Sequence, residues 1–314
     1  MENPTTEEGV ELGRMLFYET ALSSNNWVSC GTCHRQDLAF TDGKQFSEGV
    51  DGVVQPRNTM SLANLLWVRQ FFWDGKTRGL EDQSIVPMTG VHEMGQSLEV
   101  SVNKLKAIKR YSSFFMNAFG SEQITSLRIR QALAQFQRTL VSCNSRYDQY
   151  LRGEYQPTAS ELNGISLFFT NPNPSKGIRG AGCGGCHGGP KTYNELFHNN
   201  GLDSVITDRG RQDVTGKEED LGRFRVVTLR NIALTAPYMH DARFRSLNEV
   251  LEHYNKEMIR TPTLSPALQN NSNNLDGRSL GLTKKERGDL VAFLLLLTDS
   301  TFITDPRFSN PYKQ

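Results

Sequence analysis

Cys30-Gly31-Thr32-Cys33-His34 recurs 153 residues later as Cys183-Gly184-Gly185-Cys186-His187. Cys-x-x-Cys-His is the attachment pattern of c-type haem. Two thiols at this spacing reach the two vinyl groups of one porphyrin, and the imidazole that follows points at the iron. Competing chemistries fit worse. A zinc site built from two Cys-x-x-Cys pairs places them ~15–20 residues apart. A thioredoxin-like dithiol needs a βαβ context, which this sequence lacks. Only six of the 314 residues are His, so chance does not account for one directly after each pair. The sequence predicts two covalent haems, with His34 and His187 as proximal ligands. Covalent attachment implies assembly outside the cytoplasm, typically in a bacterial periplasm.

Working outward from the two motifs, the chain repeats itself. Gly13-Arg-Met-Leu-Phe-Tyr18 and Gly164-Ile-Ser-Leu-Phe-Phe169 each end an amphipathic stretch, 17 and 19 residues before their motif when counted from the glycine to the first cysteine. Each half closes with another helix. The first is expected from about Thr125 to Tyr150. The second follows the capping signature Thr283-x-x-Glu286 and includes the apolar run Leu290 to Leu297, which reads as buried. Arg152 to Thr158 reads as a connector. The expected organisation is two cytochrome c-like domains, 1–155 and 156–314, mostly α, with long loops and one haem c in each core.

Composition agrees. Hydrophobic residues make up 37% and charged residues 22%, with a formal net charge of +1. That is the profile of a globular protein without the basic face a nucleic-acid binder needs. No apolar run approaches the ~20 residues of a membrane span. Met1-Glu-Asn-Pro4 has neither a basic nor an apolar leader region; with haem attachment expected in the periplasm, a leader is expected to have been removed. The fifth cysteine, Cys143, lies in the stretch read as helical and is expected to be a buried, inert thiol.

Longer blocks resemble the bacterial di-haem cytochrome c peroxidase family, which includes the MauG-type enzymes. They are Asp37-Leu-Ala-Phe-Thr-Asp-Gly43, Arg57-Asn-Thr59, Phe72-Trp-Asp-Gly-Lys76, Glu81-Asp-Gln83, Glu93-Met-Gly95, Phe224 to Asn231 and Leu234 to Asp241. The resemblance implies peroxide reduction at the N-terminal haem, with electrons entering at the C-terminal haem from a small c-type cytochrome or cupredoxin. It implies that Glu93 moves a proton between the peroxide oxygens, that Gln83 stands beside it, and that Trp73 lies between the haems. Heterolytic O–O cleavage needs a proton delivered to the leaving oxygen, and burial suits a carboxyl to that task. The resemblance also implies a calcium ion held by Asn58 and the carbonyls of Thr235 and Pro237, all hard oxygen donors, and it leaves room for a homodimer.

Two positions depart from the peroxidases. Plugged relatives close the N-terminal iron with a loop histidine, but Phe46 to Val54 contains none. His92, the one histidine between the motifs, is read as a neighbour of the distal pocket. The C-terminal iron of the peroxidases takes a methionine fourteen residues after the His of Pro-Tyr-x-His-Asp. From His240 that position is Tyr254, as in the MauG type. Met258, His253 and Met239 compete with it, as does an iron with no further protein ligand. A phenolate favours ferric and higher-valent iron, whereas a thioether raises the potential. Three functions follow: a peroxidase; a MauG-like enzyme using peroxide-derived high-valent iron to oxidise a partner protein; and a non-catalytic electron carrier, against which Glu93, Gln83 and the unplugged loop argue.

Overall fold

The computed structural model describes residues 3–313. Helices and turns dominate. Among the described residues the strands are two-residue pieces, Phe197–His198 and Phe224–Arg225, paired antiparallel. The chain divides into two compact units: Met1–Phe71 with Thr77–Ser142 and Thr301–Gln314, and Phe72–Lys76 with Cys143–Ser300. Along the main run of the chain this division falls at 142/143. Two further segments, the one carrying Trp73 and the C-terminal tail, are assigned away from their neighbours in sequence.

In the first unit the Glu7–Phe17 helix is N-capped by Thr6, whose hydroxyl accepts from Gly9 N. Its buried face is Gly9, Leu12, Gly13, Leu16 and Phe17, the 3–4 spacing of one helical stripe. That stripe packs on the Ser126–Thr139 helix. A Cβ on Gly13 would lie 2.0 Å from the Ala132 carbonyl oxygen and 2.8 Å from Phe136 Cβ, so only glycine permits the crossing. The Phe17 and Phe136 rings then meet at 5.2 Å. Burying each such Leu or Phe contributes ~1.5–3 kcal/mol.

The second unit repeats this construction. Helices Ala159–Phe169 and Lys284–Leu296 both begin with capping boxes, Thr158 with Glu161 and Thr283 with Glu286. A Cβ on Gly164 would lie 1.9 Å from the Asp289 carbonyl oxygen and 2.9 Å from Phe293 Cβ. Phe168 and Phe293 pack edge to face at 4.8 Å, within a core that includes Leu251, Leu290, Leu294 and Leu297.

A second correspondence joins each closing helix to the loop before it. Asn64 and Asn231 both adopt left-handed backbone, φ 61° and 60°. Asn64 N donates to Leu140 O, and its side-chain oxygen accepts Ser142 N. Asn231 N donates to Leu297 O, and its side-chain oxygen accepts Asp299 N in the same way. Asparagine tolerates this conformation and supplies the amide oxygen.

The helix expected over 125–150 is two helices, Ser126–Thr139 and Arg146–Leu151. Between them the Asp299 carboxylate accepts Cys143 N at 3.0 Å and Asn144 N at 2.9 Å, and Ser145 starts the next helix with Asp148 in a capping box. Cys143 is therefore exposed, not buried: its backbone is pinned in a non-helical stretch.

Candidate functional site

In the first unit, Cys30–Cys33 forms a single helical turn. Tyr18, the last residue of the Gly13-to-Tyr18 repeat, lies over it: a Cβ on Gly31 would come within 2.4 Å of the Tyr18 ring. His34 Nδ1 faces the Phe40 carbonyl at 2.8 Å, an arrangement in which Nε2 is the nitrogen that could meet a metal. Left-handed backbone at Ala39 and Phe40 makes the turn that presents this carbonyl. Such outer hydrogen bonds fix ring orientation in metal-bound histidines. Burial lowers the His34 pKa, favouring the neutral imidazole a metal needs. Burial also pushes the Cys30 thiol up to about 12, with Cys33 and then Glu93 adding to the rise. Glu93 contributes to the raised Cys33 as well. The structure thus brings Glu93 to the first motif.

Glu93 sits in a turn whose backbone is held on both sides. Its N–H donates to Gly90 O and its carbonyl accepts Val50 N, each at 2.9 Å. Val50 belongs to the histidine-free loop, here closed on itself by the Glu48–Val54 bridge. Gly49 is packed so tightly that a Cβ would lie 1.7 Å from His92 O. His92 is turned to the surface and bonded through Nδ1 to Asp51 at 2.7 Å. This imidazole is a tie between loop and turn, a role its position in the sequence does not suggest. Gln83 ends the Leu80–Gln83 turn in the same unit, half-buried.

The second unit arranges its motif the same way. A Cβ on Gly184 would meet the Phe169 ring at 2.6 Å. His187 Nδ1 faces Thr192 O at 3.3 Å, and burial lowers this imidazole to about 4. Cys183 is pushed up to about 12 by burial and by Cys186. Tyr254 lies in a π-helical turn, His253–Glu257, a feature common at functional sites. Burial pushes its phenol up to about 12; a hydrogen bond from Asn200 opposes the rise, and the charges of Cys183 and Cys186 add to it. Tyr254 is therefore brought to the second motif. Of its competitors, His253 Nε2 faces Asn200 O at 3.0 Å, Met239 Sδ lies 3.4 Å from Asn200 Nδ2, and Met258 closes the turn. Asn200, within Phe197-His-Asn-Asn-Gly201, carries no signal in the sequence that singles it out.

Trp73 is held in the second unit by Arg225, whose N–H donates to Trp73 O at 2.7 Å. Its ring stands 6.5 Å from that of His240, which stacks on Phe224 at 3.7 Å. Two buried polar atoms downstream of the second motif, Tyr193 Oη and His198 Nε2, have no hydrogen-bond partner among the described residues. Buried polar atoms are normally paired, so they fit a bound group carrying acceptor oxygens, as haem propionates do. Asn58 belongs to the first unit, Thr235 and Pro237 to the second. Asn58 Nδ2 is committed to Lys44 O and Gln45 O, so a cation would meet Oδ1.

The family model for di-haem cytochrome c peroxidases matches residues 7–156. The MauG protein of Methylorubrum extorquens is 36% identical over 97% of this chain and 82% of its own length. The cytochrome c551 peroxidase of Nitrosomonas europaea is 34% identical over 79% and 73%. The chain belongs to the di-haem cytochrome c peroxidase family. It is an oxidoreductase of the peroxidase type, and membership brings haem c as cofactor. A crystal structure of a MauG-like protein associated with microbial copper homeostasis is also similar, with TM-score 0.87 and 36% identity over 99% of this chain and 95% of that one. No helix among the described residues is long and apolar enough to cross a membrane.

Proposed function

We propose that hydrogen peroxide is reduced in the first unit, in the pocket that Glu93 shares with the Cys30–His34 motif. The observation that carries this is the placement of Glu93 in the same unit as the Cys30–His34 motif, in a turn held by Gly90 and Val50 and near enough to add to the raised pKa of both motif thiols. A bound haem supplies the iron at which the O–O bond is cleaved, with Cys30, Cys33 and His34 holding it. Glu93 takes the proton from one peroxide oxygen and returns it to the other, so that the departing oxygen leaves as water. The Gln83 amide donates an N–H to the same oxygens. Bonds from Val50 and to Gly90 hold the Glu93 backbone, so little ordering is left for the reaction to supply.

In the second unit Cys183, Cys186, His187 and Tyr254 hold the other haem, and Trp73 beside His240 carries the electron path. Two electrons and two protons per peroxide give two waters. The electrons come from a small redox protein, a c-type cytochrome or cupredoxin, in the periplasm. A calcium ion would be met in the first unit by Asn58 Oδ1, the Nδ2 of that amide being taken by Lys44 O and Gln45 O. A second reading is favoured by Tyr254 alone: a MauG-like enzyme that oxidises a partner protein, since phenolate ligation favours higher oxidation states.

Replacing Glu93 by Gln removes the titratable group and keeps the shape. We expect the peroxide reaction to slow ~10²–10⁴-fold, the usual contribution of an acid–base group, with haem content unchanged. A wild-type rate by stopped flow would remove Glu93 from the mechanism. Steady-state turnover with a reduced small cytochrome separates the two readings: rapid turnover marks a peroxidase.

A further inference from the structure

Four side chains have the chemistry to give the C-terminal iron a further protein ligand: Tyr254, Met239, His253 and Met258. Three of them converge on one residue. Asn200 Nδ2 donates to Tyr254 Oη at 3.3 Å and lies 3.4 Å from Met239 Sδ. The Asn200 carbonyl faces His253 Nε2 at 3.0 Å. We propose that Asn200 selects the ligand of the C-terminal iron and sets how strongly that ligand donates. The proposal rests on the reading of Tyr254 as that ligand.

The selection follows from donor and acceptor counting. A carbonyl only accepts, so the His253 nitrogen facing it carries hydrogen and has no lone pair for a metal. Phe244 packs against the same imidazole at 5.5 Å and holds the ring in that pose. The Met239 thioether is a weak acceptor and is approached by the amide. A phenolate oxygen keeps lone pairs beyond the one that takes a single N–H, so Tyr254 can be hydrogen-bonded by Asn200 and still bind iron, and as an anion it suits ferric iron better than the Met239 thioether does.

Asn200 is itself rigidly placed. Asn199, before it, donates to the hydroxyls of Thr261 at 3.2 Å and Thr263 at 2.9 Å, and its carbonyl accepts Ser265 N at 2.9 Å. Gly201, after it, has φ +72°, and its carbonyl accepts Ile259 N at 2.8 Å. Both anchors lie on the chain just beyond the π-helical turn that carries Tyr254. The position of the amide relative to the phenol is thereby set by bonds to its two chain neighbours, as expected for an outer partner that tunes a metal ligand. Because an N–H on the phenolate withdraws electron density from it, the amide weakens donation to ferric iron. Asn200 is a positioning residue that raises the potential of this haem above that of an unassisted phenolate.

The test uses the fully haem-loaded protein and two variants, Asn200→Leu and the near-isosteric Asn200→Asp, neither of which has the N–H. Resonance Raman excitation of the phenolate charge-transfer band reports the iron–oxygen bond, and a spectroelectrochemical titration reports the potential. In either variant we expect the iron–phenolate stretch to move to higher frequency and the C-terminal midpoint potential to fall, or a thioether signature to replace the phenolate; the Asn200 carbonyl that faces His253 is kept in both. A phenolate signature that stays in place, with an unchanged potential, in both variants overturns the role of Asn200. A wild-type protein with no phenolate signature overturns the assignment of Tyr254, and the inference with it.

Discussion

A phenol and a thioether pull a haem iron in opposite directions, because the anionic oxygen favours the ferric state and the soft sulfur the ferrous one. By its register fourteen residues after His240, Tyr254 takes the position at which the family resemblance implies a methionine. It is buried and held within reach of Asn200. Tyr254→Met should therefore raise the C-terminal midpoint potential and let that haem store an electron for transfer. A redox titration of the loaded variant checks it; a potential unmoved by the exchange would mean that the iron is bound by another residue. The side chains at this scale divide sharply in legibility. The cysteines and His34 and His187 can be read because attachment chemistry demands adjacent residues. Asn200 cannot, because its partners stand 39, 53 and 54 positions away and no local pattern announces them. The role of His92 is hidden for the same reason: its partner, Asp51, is 41 residues off.

Between elements, the decisive contacts are glycine against backbone. Gly13 and Gly164 are legible as a repeat, and the structure gives the reason: each lets a carbonyl of the closing helix come where a Cβ would stand. Gly288 offers the contrast. It lies exposed in the Lys284–Leu296 helix, and a Cβ there would have nothing within 4 Å. Gly164→Ala should destabilise the second unit by ~1–3 kcal/mol, as overpacking does, because the Asp289 carbonyl cannot retreat without breaking its helix. Gly288→Ala should stabilise by ~0.5–1 kcal/mol through lower backbone entropy in the unfolded chain. Thermal unfolding of the two loaded variants beside the parent measures both signs. A neutral Gly164→Ala would show that the helices have room to part. The elements that escape the sequence are those set by distant partners. The break at 140–145 depends on the Asp299 carboxylate, 156 and 155 residues from the two N–H groups it accepts. The π-helical turn at His253–Glu257 differs from an α-helical turn by one residue of registration, for which amphipathic spacing offers no signal.

Across the molecule, the two units use the same wiring up to the proximal histidine and diverge beyond it. Each has an aromatic over the first x of its motif, a carbonyl on the histidine Nδ1 and a left-handed asparagine tied to the closing helix. Beyond the proximal histidine, the second unit places the buried Tyr254 phenol near its motif. In the first, the stretch from Phe46 to Val54 holds no His, Met, Lys or Cys. That loop is also fastened: Val50 N donates to Glu93 O, Asn25 Nδ2 to Val50 O, and Asp51 holds His92 at the surface. Reductive gating of the kind found in plugged relatives needs a ligand whose release is coupled to the redox state of the other haem. Such coupling has nothing to act on when the loop offers no ligand and the nearby imidazole is already engaged. The fully oxidised protein should therefore react with peroxide at once, without a priming electron. Mixing the diferric protein with peroxide and following the Soret band is the measurement, and a change within the mixing experiment is the expected result. Asp51→Asn, which weakens the hold on His92, gives the converse: if the freed imidazole reaches the iron, the diferric variant should respond more slowly and recover on reduction. Silence of the parent protein until one electron is added would show that a side chain already occupies the site, and that the fastened loop does not keep it open.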